Sequence, residues 1–196
     1  MAGNPERRAA LVDAGVEVLA RQGARGLTFR AVDAEAGVPV GTASNYFTGR
    51  DDLLRQIDTR LHVRLAPDPE VIAELLTRPK DRSLVVSFMH DLMARATRDR
   101  TGYLALLEMR LEASRHPELR SSFTRTVRGD LDEAIGFHRD AGLPGGDEVV
   151  TVLYLAMLGL LLEHLTLPDV LKGVLPGVGV PDGLVERIAA TIVPEK

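Results

Sequence analysis

The stretch from Thr28 to Leu54, TFRAVDAEAGVPVGTASNYFTGRDDLL, decides the fold. Thr28 is a good N-cap for a short helix that ends at Ala36-Gly37. Ala31, Val32 and Ala36 give that helix a small inward face. Gly37 stands where the chain turns into positive φ, a conformation that a side chain resists. A second short segment runs from Pro39 to about Phe47, and the spacing predicts a helix there. Thr48-Gly49-Arg50-Asp51 then reads as a capping box, a hydroxyl followed three residues on by an acid. It opens a helix bearing Leu53, Leu54, Ile57, Leu61 and Leu65. Two short helices about a glycine turn cannot bury enough surface alone, so they need a brace from elements on either side.

The brace on the N-terminal side is a helix with a clear start. Asn4 can cap it, Pro5 suits its first position, and Glu6 complements the positive end of the helix. Val12, Gly15, Val16 and Leu19 recur at helical spacing and define one inward face. Gly23 stops it. The brace on the other side is the helix that follows Thr48. A short helix pair held between two others is a helix-turn-helix, with the second member of the pair presented outward to a DNA major groove.

The same residues carry a family resemblance. The segment over residues 5–65 resembles the DNA-binding domain of the TetR family of bacterial regulators. The likeness lies in the apolar first helix ending Arg21-Gln22-Gly23, Thr28 at the start of the second helix, and Ala36-Gly37-Val38 at the turn. It continues in Gly41, the pair Tyr46-Phe47, and Arg50-Asp51-Asp52-Leu53-Leu54. Val38, Phe47 and Leu53 are expected to pack the small core. Thr28 is expected to cap its helix and give a hydrogen bond to a phosphate. Pro39, Val40, Gly41, Thr42, Ala43, Ser44 and Asn45 fall on the recognition element or its first turn. Thr42 and Asn45 can hydrogen-bond base edges or phosphates, and Val40 and Ala43 can touch a thymine methyl. The resemblance implies that Tyr46 gives its hydroxyl to a phosphate while Phe47 faces inward.

Arg50 opposes the macrodipole of the helix it starts, a place where a structural purpose favours an acid. A phosphate at the same helix end accounts for it. The family usually has lysine here, commonly an aromatic where Ser44 stands, and commonly serine or threonine where Pro39 stands. These departures leave the operator sequence open.

Ala66-Pro67-Asp68-Pro69 breaks the brace helix and divides the chain into residues 1–65, the DNA-binding domain, and 66–196. Beyond the break, helical patterns cover 70–77, 82–99, 101–114, 117–141, 147–166 and 182–193, and residues 168–181 read as a loop. The fold class is all-α: a three-helix helix-turn-helix domain followed by a helical bundle for ligand binding and dimerisation. The chain of 196 residues is 45% hydrophobic and 27% charged, as globular proteins are. Its formal charge of −4 is unevenly spread. Residues 1–66 carry nine Arg against eight acids, +1, and the rest carries fifteen basic against twenty acidic residues, −5. DNA binding would therefore rest on placed arginines rather than on a broad basic field.

Several classes are disfavoured. With no cysteine there is no disulfide framework and no thiolate chemistry, which suits a reducing cytoplasm. Met1 to Arg8 lacks the apolar core of a signal peptide. The apolar stretch Val149 to Leu162 is shorter than the roughly 20 residues of a membrane span, and reads as a buried helix. His138-Arg139-Asp140 spells a kinase tripeptide without the loop, lysine and aspartate that a kinase requires. Gly177, Gly179 and Gly183 lie in no βαβ unit. No histidine pair has metal-ligand spacing. Neither an enzyme, a cofactor nor a metal is expected.

The second domain is read for partners. Leu119, Phe123, Val127, Leu131, Ala134 and Ile135 form a stripe on the 117–141 helix, and the 147–166 helix is apolar nearly all round. One chain cannot easily cover both, so each is expected to meet its twofold mate in a four-helix homodimer interface. Such a dimer would set two recognition elements about 34 Å apart on a palindromic operator. Phe88, Met89, Leu92, Met93, Tyr103, Leu107, Arg110, Phe123 and Met157 suit an adaptable apolar pocket for an unidentified small-molecule effector. Ordinary core packing explains each of them as well. An inward Arg110 would favour an anionic ligand, an inward Glu108 a cationic one. The resemblance implies that ligand moves the first turn of the 101–114 helix against the brace helix and weakens operator binding. A ligand-binding protein without DNA function, and an activator, remain as alternatives.

Overall fold

Asn4 caps the first helix, its side-chain oxygen accepting from the Glu6 and Arg7 amides at 2.9 and 3.2 Å. In the computed structural model, which describes residues 4–174 and 177–195, that helix is α1, Pro5–Gly26. Gly23 interrupts it at φ +66°, so the stop read from sequence is a kink with one further turn beyond. Helix α2 spans Phe29–Glu35 and α3 spans Arg50–Leu65. Then follow α4 (Pro69–Leu75), α5 (Arg82–Arg98), α6 (Arg100–Ala113), α7 (Pro117–Asp140), α8 (Asp147–Thr166) and α9 (Asp182–Ile192). No strand occurs among the described residues. The expected loop over 168–181 is a run of turns where it is described, and its residues 175 and 176 lie outside the described residues.

By packing, the chain forms two units: Met1–Ala66 with Asp99–Arg125, and Pro67–Arg98 with Thr126–Lys196. Helix α6 thus belongs with the N-terminal helices, although it follows the Ala66-Pro67 break in sequence.

In the first unit, α1 buries Leu11, Val12, Val16, Val18 and Leu19, and α3 buries Leu53, Leu54, Ile57 and Leu61. The helices approach closely at Gly15, where a Cβ would stand 2.9 Å from Ile57 Cδ1. An ion pair and a hydrogen bond fix the outer faces: Arg60 grips both oxygens of Asp13 at 2.6 and 3.0 Å, and Arg8 donates to the Gln56 amide oxygen at 3.2 Å.

The expected capping box is shifted by one residue. Gly49 is the N-cap of α3 and has no side chain to offer. Asp52, not Asp51, reaches back to the Thr48 amide at 3.0 Å and its hydroxyl at 3.4 Å. The Thr48 amide holds the Asp52 carboxyl below its ordinary value, against a smaller opposing effect of burial.

In the second unit, Leu84, Val85, Leu143, Leu153, Ala189 and Val193 form the buried core around α5, α8 and α9. His138 is buried, and its Nε2 lies 3.0 Å from the Pro144 carbonyl, which ties the end of α7 to the following turn. Helix α8 has the expected bounds, 147–166; its 20 residues are long and apolar enough to cross a membrane by composition, which corrects the expectation drawn from the shorter apolar stretch. It is also less buried than expected. Leu153, Met157, Leu160, Leu161 and Leu165 pack inward, but Val152, Leu155 and Leu162 remain exposed in the single chain.

Candidate nucleic-acid interface

The reading surface is built from the turn between α2 and α3. Thr28 caps α2 as expected, its hydroxyl accepting from the Ala31 amide at 3.1 Å. Gly37 adopts φ +63°, as the turn requires. The segment expected to be a helix from Pro39 to Phe47 is shorter: only Ala43–Asn45 forms a turn of 3-10 helix. Its backbone bonds run mainly from residue i to i−3, as in Thr42 to Pro39, Asn45 to Thr42 and Tyr46 to Ala43. Gly41, at φ +93°, breaks the regular spiral ahead of it. Side chains also compete for the local carbonyls, with the Thr42 hydroxyl donating to Pro39 O at 2.6 Å and the Ser44 hydroxyl to Gly41 O at 2.7 Å.

A residue that sequence reasoning did not single out holds this turn in place. Asp33, on α2, is only 1% exposed. Its Oδ2 accepts from the Gly41 amide and its Oδ1 from the Ala43 amide, both at 2.7 Å. One carboxylate thus ties the reading turn to the helix beneath it, with charge-assisted bonds in a dry setting. The inward face of α2 is therefore Val32 plus an acid, with Ala31 and Ala36 only half-buried. A buried acid eight and ten positions before its partners has no local signature in the sequence.

The expected DNA residues divide. Thr28, Pro39, Val40, Ser44 and Asn45 are exposed, Val40 to 76%. Gly41 and Thr42 are half-buried. Asn45 donates from Nδ2 to the Gly41 carbonyl at 3.1 Å, which fixes the amide in orientation. Ala43 is fully buried, which corrects its expected contact with a thymine methyl. Its methyl is core because the Asp33 strap turns that side of the segment inward. Phe47 and Leu53 are buried as expected, and Val38 is half-buried. Phe47 stacks on Phe29 at 6.2 Å between centroids. Tyr46 is half-buried, with the Arg8 guanidinium 5.7 Å from its ring centroid and 5.6 Å from that of Phe47. Arg8 is thus a second residue the sequence did not flag, a cation held over the aromatic pair.

Arg50 has a structural partner, contrary to the expectation that none would favour a cation there. Its Nη1 donates to Glu112 of α6 at 2.6 Å and its Nη2 to the Ala24 carbonyl at 2.6 Å. At the other end of α3, Arg64 donates to both oxygens of Asp99 at 2.5 and 2.7 Å, and more weakly to Glu17 at 3.5 Å. Asp99 also caps α6 by accepting from the Gly102 amide at 3.0 Å. Burial raises the Asp99 carboxyl, but hydrogen bonds from Arg64 and Gly102 outweigh it and hold the carboxyl below its ordinary value. Hydrogen bonding to Asp99 raises Arg64 correspondingly. Helix α6 thus grips α3 at both ends, running antiparallel to it.

The nine residues expected to line a pocket are distributed over both units. In the first, Tyr103 and Phe123 are buried, Leu107 is half-buried, and Arg110 lies 5.8 Å from the Phe123 ring centroid. Glu108 lies against Gly23, where a Cβ would meet its Oε2 at 3.2 Å. In the second, Met93 and Met157 are buried, Met89 and Leu92 are half-buried, and Phe88 packs on the core and edge-on to Phe137 at 5.5 Å. A surface cleft of about 510 Å³ in the first unit includes none of the nine; Asp51, Arg55, His116, Pro117, Glu118, Leu119 and Ser122 line it.

Residues 11–57 match the family model described as bacterial regulatory proteins, tetR family, and residues 80–193 match that of the tetracyclin repressor-like C-terminal domain. The nicotine-responsive transcriptional repressor HdnoR of Paenarthrobacter nicotinovorans is 26% identical over 131 residues, 66% of this chain and 66% of the relative. The transcriptional regulator BetI of Rhizobium meliloti is 32% identical over 133 residues, 65% of this chain and 63% of the relative. The matched stretch therefore spans about two thirds of either protein. The solved structure of the multidrug binding protein EbrR with imidazole superposes with a TM-score of 0.68 at 25% identity, covering 97% of each chain.

Proposed function

The chain belongs to the tetR family of bacterial regulatory proteins, and from that premise we propose that it is a dimeric repressor released from a palindromic operator by a small molecule. The observation that carries the reading is the Asp33 strap. A buried carboxylate is spent on two amides of a turn whose outer side displays Val40, Ser44 and Asn45. Such rigidity serves a surface that must fit something, and a polar turn with an apolar tip suits base edges and a thymine methyl. Tyr46 and the open N-terminus of α3 supply phosphate contacts beside it, with Arg50 as the cation.

Dimerisation is supported by α8. Val152, Leu155, Gly159 and Leu162 lie along one stripe of the helix; the three side chains are exposed, and a Cβ on Gly159 would meet nothing within 4 Å. A second copy of α8 covers such a stripe, and α7 flanks it in a four-helix interface. Ligand response is supported by HdnoR, named for nicotine, and by EbrR, named for multidrug binding. Ligand shifts α6, and α6 carries the shift to both ends of α3. Release from the operator follows only if ligand binds the DNA-free state more tightly than the DNA-bound one. The protein works in the cytoplasm, where operator DNA is found.

The test is a mobility-shift titration against DNA flanking the protein's own gene, followed by footprinting. A symmetric protected site whose affinity falls steeply with salt is expected. Failure to retard any flanking fragment would favour a ligand-binding protein without a DNA role.

A further inference from the structure

We propose that Glu112 competes with operator phosphate for Arg50, so that helix α6 sets DNA affinity through a single exchangeable ion pair. This rests on the operator-binding reading. Glu112 is 5% exposed, whereas the Arg50 side chain keeps 37% of its surface. The acid is fixed in the interior, and the guanidinium, on its long stem, is the member that can leave. Leaving a buried carboxylate unpaired costs several kcal/mol and would normally forbid the exchange. Here the carboxylate has other partners in reserve, a histidine ring nitrogen and a second guanidinium. His116 Nε2 lies 3.1 Å from Glu112 Oε1, and Arg115 Nη1 lies 3.7 Å from Oε2. Both follow α6 directly in the chain and travel with Glu112. When Arg50 turns outward, Glu112 stays paired, and the loss is confined to one ion pair and one bond to the Ala24 carbonyl.

A phosphate offers the guanidinium an equivalent partner. Arg50 stands in the first turn of α3, whose N-cap, Gly49, provides no acceptor for the open amides. An anion there meets those amides as well as the arginine. The far end of α3 remains clamped by Arg64 and Asp99. A small shift of α6 about that clamp changes the distance from Glu112 to Arg50 most, and so changes which acid, carboxylate or phosphate, holds the arginine.

The experiment measures binding of the full-length dimer to the footprinted duplex by fluorescence anisotropy at about 50 and 200 mM salt. Glu112→Gln keeps the shape and removes the charge. It is expected to bind about three- to thirty-fold tighter at low salt, with a salt slope steeper by about one, as for one added phosphate contact. In an Arg50→Ala background the same substitution should change affinity by less than about two-fold. Glu112→Asp, which withdraws the carboxylate by one methylene, should fall between. A folded Gln variant that binds no tighter than the parent overturns the proposal, as does one that gains equally without Arg50. Should the Gln variant not fold, an Asp variant of parental affinity overturns it. Parent protein that binds the duplex while the variants are inert sinks only the role of Glu112; parent protein that binds no duplex sinks the operator reading as well.

Discussion

Substituting Asp33 by asparagine is the sharpest probe of how the reading surface is held. The side chain keeps its shape, but only one of its two terminal atoms can still accept. The other becomes an NH2 facing a backbone N–H. One of the two 2.7 Å bonds, to Gly41 or to Ala43, is then lost, and the survivor is no longer charge-assisted. Hydrogen bonds to charged groups contribute about 1.5–3 kcal/mol and neutral ones about 1 kcal/mol. The unmet amide adds a further cost where water cannot reach it, and the Ala43 bond is a buried one. Relief of burying a charge offsets part of this. The net loss expected is about 2–4 kcal/mol, localised to residues 39–45. Native-state hydrogen exchange reads it directly. In the parent the Ala43 amide should be among the protected ones of the first unit although it lies outside any α-helix. In Asp33→Asn it should exchange about thirty-fold faster or more, with operator affinity falling because fewer molecules hold the turn ready. If the variant shows parental exchange at Gly41 and Ala43 together with parental DNA binding, the strap is not what orders this surface.

Other expectations are more compact. Gly15→Ala should be within about 1 kcal/mol of neutral in urea unfolding, since helix propensity favours alanine while Ile57 Cδ1, 2.9 Å away, must rotate aside; Gly15→Val should cost about 1–3 kcal/mol by forcing α1 from α3. Asp99→Asn retains an N-cap for α6 but loses the charge that meets Arg64, and should destabilise by about 1.5–3 kcal/mol near neutral pH. Because the folded-state carboxyl of Asp99 titrates below its ordinary value, its contribution is present above about pH 4 and disappears as pH falls through that lowered value. The gap in unfolding free energy between parent and Asp99→Asn should therefore close in acid, and a gap constant from pH 6 to 3 would contradict the assignment. Leu155→Glu, at a side chain 60% exposed in the single chain, should leave the melting of the monomer nearly unchanged while shifting sedimentation from dimer to monomer. A variant that remains dimeric would place the interface elsewhere.

Local chemistry made much of the head legible. Asn4, Thr28 and Gly37 each do what their own side chain, or lack of one, dictates, and the apolar faces of α1 and α3 follow from helical spacing alone. The errors have a common origin. The capping box slipped from Asp51 to Asp52 because the helix starts one residue later than the pattern implies, with Gly49 as N-cap, and only the path of the backbone decides that. Ala43 was expected outside because an alanine on a short segment carries no sign of which way it points. Arg50 was read from its helix position, which is a local argument, whereas Glu112 arrives from far along the chain.

The residues alone were sufficient to specify most of the helices, the caps at Asn4 and Thr28, the glycine turn and the family, because each of these is set by interactions within a few positions of the chain. They were not sufficient to show that α6 packs with the N-terminal helices, that Asp33 holds the reading turn, or that α6 clamps both ends of α3. Those depend on charged groups meeting across long stretches of sequence. A carboxylate looks the same in sequence whether it ends in water or against a guanidinium, and the packing of helices alone determines which.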